Sequence, residues 1–252
     1  KANSLVYYMD FFDEDSRVYI EPSEEIEFYR AAYPLPSKLI YSPFSRPELP
    51  QKGRRRKIKE LPKLYQGTHL YCIDDRIVYF QGFLGAPATV IFLEQLIALG
   101  IREIIFLGLA GAIQSATIGD RIVVTEAMRF EGTSYHYLPT HALSVPSEEV
   151  TNDLERFLSS NRIPFIKGKI CSTDAPFRET FNLIEQLRQK KVIAIEMEIA
   201  AALAVAIFRN VKAGALVIIS DELKDHQWSR FQPEHFSKAF ISSFNHLVEF
   251  FS

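Results

Sequence analysis

The chain has 252 residues, 47% hydrophobic and 24% charged, the make-up of an ordinary globular protein long enough to bury a full core without disulfide or metal staples. The formal net charge of -2 supplies no global basic field, which argues against nucleic acid or an acidic membrane as partner. Two cysteines, Cys72 and Cys171, give neither a disulfide framework nor zinc-site spacing, and no membrane-length apolar run or secretory leader is read, so no metal and a cytoplasmic setting are expected.

Residues 1–65 read as an irregular segment packed on the same domain as an α/β unit over 66–252. Five prolines between Tyr33 and Pro50 predict extended loop. The basic run Lys52–Lys57 is either a solvated loop or an anion contact reaching across a subunit interface. From Leu70 the pattern turns regular. Leu70–Ile73 and Arg76–Gln81 predict strands about the turn Asp74-Asp75. Ala88–Leu99, closed by Gly100, has helical spacing. Glu103–Leu107 is a short apolar strand running straight into Gly108-Leu109-Ala110-Gly111. Arg121–Thr125, Phe165–Ser172, Val192–Ile195 and Ala213–Ser220 are further strands. Val150–Asn161, Phe181–Lys190, the Ala-rich Met197–Arg209 and Phe236–Phe251 are helices.

Strands alternating with helices, several apolar throughout, predict a buried sheet, mostly parallel or mixed, with helices on both faces. Ligands of such sheets bind beyond the carboxyl ends of the strands. The segments 82–87, 108–111, 172–177 and 220–224 all follow strands and are expected to gather at one edge.

Five motifs carry possible chemistry. Small residues at Gly108–Gly111, Ala110 among them, let backbone N–H groups approach a ligand, or simply make a tight turn. Glu196-Met197-Glu198 puts two carboxylates into an apolar stretch. One can accept both hydroxyl protons of a ribose while Met197 floors the sugar, or they mark a helix N-terminus. Asp221 at a strand end is placed for proton transfer or for capping a turn. In Ser172–Arg178, Phe177 suits base stacking and Arg178 the base edge. In Gly132–Tyr137, Tyr and His136 suit sugar contact.

In chain order these pieces resemble the nucleoside phosphorylase family, especially its uridine phosphorylase-like and nucleosidase-like branches. The resemblance is carried by Leu93–Arg102, Gly108–Gln114, Ile118-Gly119-Asp120, Gly132–Ser134, Thr173-Asp174, Glu196-Met197-Glu198 and Ser220-Asp221. It implies a three-layer α/β/α sandwich with a central mixed sheet, assembled as a homo-oligomer (dimer, trimer or hexamer). It implies that Glu198 and Met197 hold the ribose, that Phe177 and Glu196 lie near the base, and that Asp221 protonates a purine leaving group.

The departures bear on the nucleophile. Phosphorylases of the family place Arg in the strand before the glycine loop and Ser or Thr after the first glycine. This chain has Phe106 and Leu109 there. Their Gly-Asp-Pro loop with a following Arg has as its nearest analogue the acidic Glu21-Pro22-Ser23-Glu24-Glu25. These residues offer phosphate no cationic fork. The hydrolytic branch polarises water with an acidic residue of the first loop, a role open to Glu24 or Glu25. The expected activity is cleavage of the N-glycosidic bond of a ribonucleoside, purine favoured, with phosphate as co-substrate or water as nucleophile and no cofactor. The alternative is an inactive nucleoside-binding or storage relative.

Overall fold

The computed structural model describes residues 11–15, 17–43, 57–224, 227–229 and 233–252. Arg54, Arg55 and Arg56 of the basic run lie outside these residues, as do Pro47 and Pro50.

Two short helices come first, α1 (Pro22–Glu25) and α2 (Glu27–Ala32), followed by the strands β1 (Lys38–Ser42), β2 (Ile58–Leu61), β3 (His69–Ile73) and β4 (Ile77–Gln81). Helix α3 (Ala86–Ala98) leads to β5 (Glu103–Ala112) and β6 (Arg121–Phe130). Then follow α4 (Glu148–Ser160), β7 (Ile166–Thr173), α5 (Phe181–Gln189), β8 (Val192–Glu196), α6 (Ile199–Phe208), β9 (Lys212–Lys224), β10 (Gln227–Ser229) and α7 (Pro233–Phe251).

The strands form one mixed ten-stranded sheet in the order β10-β9-β6-β7-β8-β5-β1-β4-β3-β2. A further pairing of β9 with β5 closes β5, β9, β6, β7 and β8 on themselves. Side chains alternate across β1 and β5 in the way a strand requires. Leu39, Tyr41, Ile104 and Phe106 join α3 and α6 in one core, while Ile40, Ile105 and Leu107 join α4 and α7 in the other. This is the expected α/β sandwich with helices on both sides.

Helix α6 is apolar all round, and every residue from Ile199 to Ala206 is buried. A helix with no polar face has to be enclosed, and its alanines let α3 pack close beside it. The two helices are fastened where the Arg209 guanidinium donates from Nε and Nη2 to Glu94 at 2.7 and 3.0 Å. Among the described residues no helix is long and apolar enough to cross a membrane.

Three expectations are corrected. The stretch expected to be extended loop contains β1, an inner strand paired in parallel with β4 and β5. Its three apolar residues between prolines are too few to show a period. Gly108–Gly111 is not a loop, because β5 continues to Ala112 along β9. Ser220–Lys224 likewise continues β9. Both extensions rest on pairing with a distant strand, which the local composition does not reveal.

The register of β5 on β9 shifts between Ala110 and Gly111. Ala110 pairs with Ile219 and Gly111 with Asp221, leaving Ser220 as the extra residue. Such a bulge re-aims the side chain that follows it, here Asp221.

Helix α7 covers its face of the sheet through fully buried Phe244, whose ring meets Tyr79 edge-on at 4.8 Å. Phe244→Ala is expected to lower the free energy of unfolding by about 3–5 kcal/mol. A denaturant titration checks this, and no loss would show α7 to be dispensable.

Candidate active site

Segments far apart in the chain meet at one cleft of about 230 Å³. Leu84 comes from the turn before α3, and Leu109, Ala110 and Gly111 from the end of β5. Pro176 and Glu179 follow β7, Ile195 to Glu198 span the β8–α6 junction, and Ser220, Asp221 and Leu223 come from β9.

The β8–α6 junction is the most ordered wall. Glu196 is buried, and its Oε2 accepts the backbone N–H groups of Glu198 (2.6 Å) and Ile199 (2.8 Å), capping α6. The Ser172 hydroxyl, from β7, donates to Glu196 Oε1 and accepts the Ala200 N–H at 2.8 Å. Burial, and then the negative charge of Glu198, push Glu196 up to about 8. Glu198 is only 3% exposed. Its Oε1 accepts the Gly85 N–H at 2.6 Å. Burial raises Glu198 as well, with the Gly85 N–H opposing. Gly85 has φ of +95°, a conformation natural to glycine. The turn before α3 is therefore shaped to bring its N–H to this carboxylate.

At the other end, Ser220 Oγ donates to Asp221 Oδ1 at 2.7 Å and Trp228 Nε1 donates to Oδ2 at 2.8 Å. A side chain at Gly111 would bring its Cβ to 3.2 Å from Asp221 Oδ2, so the glycine leaves room for this carboxylate. Glu179 stands on the same side. Burial, and then the charge of Asp221, push it up to about 7.

Four carboxyl groups thus face one cleft, and no Lys, Arg or His lines it among the described residues. Phe106 is sealed in the core, 5.5 Å from the Tyr41 ring, while Leu109 lines the cleft. Such a site favours positive charge developing in a ligand and disfavours an added anion. No cluster of His, Cys, Asp and Glu suited to a metal occurs among the described residues.

Of the residues singled out in the sequence, Ala110, Gly111, Glu196, Met197, Glu198 and Asp221 lie together in the cleft. Phe177 and Arg178 do not line it. They sit on a one-turn segment beside it, with Phe177 97% exposed. Glu25 and His136 line a separate cavity of about 510 Å³ between the N-terminal segment, α3 and the end of α6. There Glu25 accepts from Gln95 Nε2 at 3.1 Å. Glu24 is exposed on α1. Glu196 is spent on capping α6 rather than left free.

Glu179, Ser172 and Trp228 went unassigned in the sequence. Ser172 was visible as the first residue of the noted Ser172–Arg178 motif. Glu179 directly follows that motif, and only the fold turns it toward Asp221. Nothing local marked Trp228, which reaches Asp221 through the pairing of β10 with β9.

Residues 41–251 match the family model of the phosphorylase superfamily. A guanosine phosphorylase of Halorubrum lacusprofundi is 29% identical over 172 residues, 68% of each chain. A uridine phosphorylase of Thermococcus kodakarensis is 33% identical over 150 residues, 54% of each chain. The chain thus spans about half to two thirds of these relatives' length. In fold it is similar to a purine nucleoside phosphorylase of Toxoplasma gondii solved with immucillin-H. That match has a TM-score of 0.73 and 16% identity, covering 86% of this chain and 90% of that one. A uridine phosphorylase of Vibrio fischeri matches with a TM-score of 0.63 and 19% identity, covering 73% and 79%.

Ser172→Ala removes a donor from a buried carboxyl and leaves the Ala200 N–H without its acceptor. The expected loss of stability is about 1–3 kcal/mol. Thermal and urea unfolding check it, and an unchanged midpoint would show that the Ser172 bridge contributes nothing.

Proposed function

This chain belongs to the phosphorylase superfamily, and from that premise we propose that it cleaves the N-glycosidic bond of a ribonucleoside, a purine nucleoside for preference, with water as the nucleophile. The named relatives are phosphorylases of guanosine and uridine, so the nucleoside is the conservative part of this reading. The carrying observation is the cleft with carboxyl groups at both ends and, among the described residues, no cationic side chain.

The ribose is assigned to Glu198. Its carboxylate is held by the Gly85 N–H through Oε1, which fixes its direction, and an ionised carboxylate is the acceptor a vicinal diol needs. Met197 offers a polarisable apolar floor beside it. The base is assigned to the end with Glu179 and Asp221, since a purine ring nitrogen leaves readily once protonated. As the C1′–N bond breaks, positive charge builds on the sugar ring, and the surrounding carboxylates stabilise it more than they stabilise the neutral substrate.

Water is favoured over phosphate on electrostatic grounds. Two like charges about 4 Å apart repel by about 4 kcal/mol at an effective dielectric near 20, and a phosphate dianion here would meet carboxylate charge without a compensating cationic fork among the described residues. The places where the family's phosphorylases carry Arg and Ser or Thr hold Phe106 in the core and Leu109 in the wall. Assembly into a homo-oligomer belongs to the same proposal. Its support is the exposure of the apolar Ile91, Ile207 and Phe208 on α3 and α6.

The test is a panel of purine and pyrimidine nucleosides incubated with and without inorganic phosphate. Free base and free ribose at equal rates in both conditions are expected. Release only with phosphate rejects water as nucleophile. Calorimetric binding without release in either condition identifies a nucleoside-binding relative that does not turn over. Glu198→Gln weakens two charge-assisted hydrogen bonds to the sugar, and a fall on the order of 100-fold in kcat/KM is expected. An unchanged value would remove Glu198 from the sugar site.

A further inference from the structure

A second cavity of about 220 Å³ shares Glu179 and Leu223 with the cleft and is walled further by Phe181, Ile184, Arg188, Gln227 and Trp228. Glu179 stands at the boundary and lines both. Its carboxyl is half-buried and has no hydrogen-bond or ion-pair partner among the described residues. Asp221, on the same side, is in the opposite condition. Each of its oxygens accepts a hydrogen bond, one from the Ser220 hydroxyl and one from the Trp228 indole N–H.

A carboxyl group in a partly shielded cleft that faces a second carboxyl is pushed toward its neutral form by burial and by its neighbour's charge. Donors decide which of the two is the better place for a proton. An oxygen that accepts from a fixed N–H or O–H holds negative charge well and carries a proton poorly. The Trp228 indole has only a donor to offer, so the Asp221 oxygen it meets has to be an acceptor. Glu179 has no such donor among the described residues and a partly desolvated site, which favours its neutral form.

From this arrangement we infer that Glu179 is the acid that delivers the proton to the departing base, and that Asp221 is a fixed anion that keeps the proton on Glu179. This rests on the N-glycosidic reading of the same cleft and changes which residue the resemblance points to. In the step, the electron pair of the C1′–N bond passes to the base, and the Glu179 O–H proton moves to a base ring nitrogen, leaving a Glu179 carboxylate. A water oxygen bonds to C1′ and releases its proton to solvent. Solvent then returns a proton to Glu179. The balance is nucleoside plus water to free base plus ribose.

The pH dependence follows from the groups around Glu179. Asp221 faces it from β9, and Glu196 and Glu198 line the same cleft from the β8–α6 junction. Glu185 and Arg188 face it from α5 across the second cavity. Arg188 is engaged with the carbonyls of Ile113 and Leu223, both at 2.9 Å, and with Glu185 at 3.8 Å. The buried Cys171 thiol, on β7, is pushed up to about 12 and stays neutral. Among the described residues no uncommitted cation offsets the burial and the Asp221 charge that push Glu179 up to about 7. Its protonated form is the active one. Turnover is full below that value and falls as pH rises through it, by about tenfold per unit.

The experiment compares the full chain with Glu179→Gln and Asp221→Asn on two substrates. One is inosine, whose base needs a proton to leave. The other is p-nitrophenyl β-D-ribofuranoside, whose phenolate leaves without one. Glu179→Gln is expected to lower inosine kcat by about 100-fold or more, to erase the alkaline limb, and to keep nitrophenol release within about threefold. Asp221→Asn is expected to shift that limb to lower pH, because the charge holding the proton on Glu179 is gone. Glu179→Asp, which keeps a carboxyl, is expected to recover part of the inosine rate with its limb. Retained inosine turnover in Glu179→Gln overturns the assignment. So does equal loss on both substrates, which marks a structural role. A wild-type chain that releases neither base nor nitrophenol overturns the glycosidic reading itself, and this inference with it.

Discussion

Two carboxyl groups are buried side by side at the junction of β8 and α6, and the arrangement of the cleft follows from the need to satisfy them. A carboxylate withdrawn from water without donors is costly enough to be neutralised or expelled. Glu196 meets the requirement with the first N–H groups of α6 and the Ser172 hydroxyl from β7. Glu198 meets it with Gly85 from the turn before α3. Elements that are distant in the chain are thereby pinned at one place. A helix as apolar as α6 can then start in the interior, since the orphan donors of Glu198, Ile199 and Ala200 are occupied.

The same constraint sets the electrostatics. The donors that satisfy these carboxyls are backbone N–H groups and a hydroxyl, not cations, so the cleft keeps its acidic character. The bulge at Ser220 adds Asp221 to that wall, and the β10 strand brings Trp228 to hold it. With Phe106 and Leu109 where the resemblance implies phosphate ligands, the described lining stabilises a developing cation and repels an anion. The family's fold is thus paired with an acidic pocket.

Much of this was legible in the sequence wherever a period or a motif extends over enough residues. Most strands and helices from His69 onward appear close to their expected places, because apolar runs bounded by glycines and caps carry the signal, although β6 runs on to Phe130 past the expected Thr125 and β10 was not expected. Strand β1 was lost because Leu39-Ile40-Tyr41 is short and flanked by prolines. The ends of β5 and β9 read as loops because Gly108, Gly111 and Ser220 are turn-like in composition, while their strand character comes from each other. In the cleft, Glu198, Met197 and Asp221 stood out as polar or soft residues at the ends of apolar segments. Glu25 and His136 had residue type in their favour but lie in another cavity. Phe177 is turned to solvent, which no local pattern encodes. Glu179 has no distinctive neighbours in sequence and is made notable only by its distance from donors and its facing of Asp221.

The central claim is that a single anionic cleft holds a nucleoside, with the sugar at Glu198 and the base at Glu179 and Asp221. A crystal structure of the chain with a bound purine nucleoside tests it most directly. The account predicts both ribose hydroxyls within hydrogen-bonding distance of the Glu198 carboxylate, the base against Glu179 and Asp221, and an ordered water on the C1′ face opposite the base. A nucleoside seated in the cavity beside Glu25 and His136, or a cationic side chain filling the place assigned to that water, would contradict it.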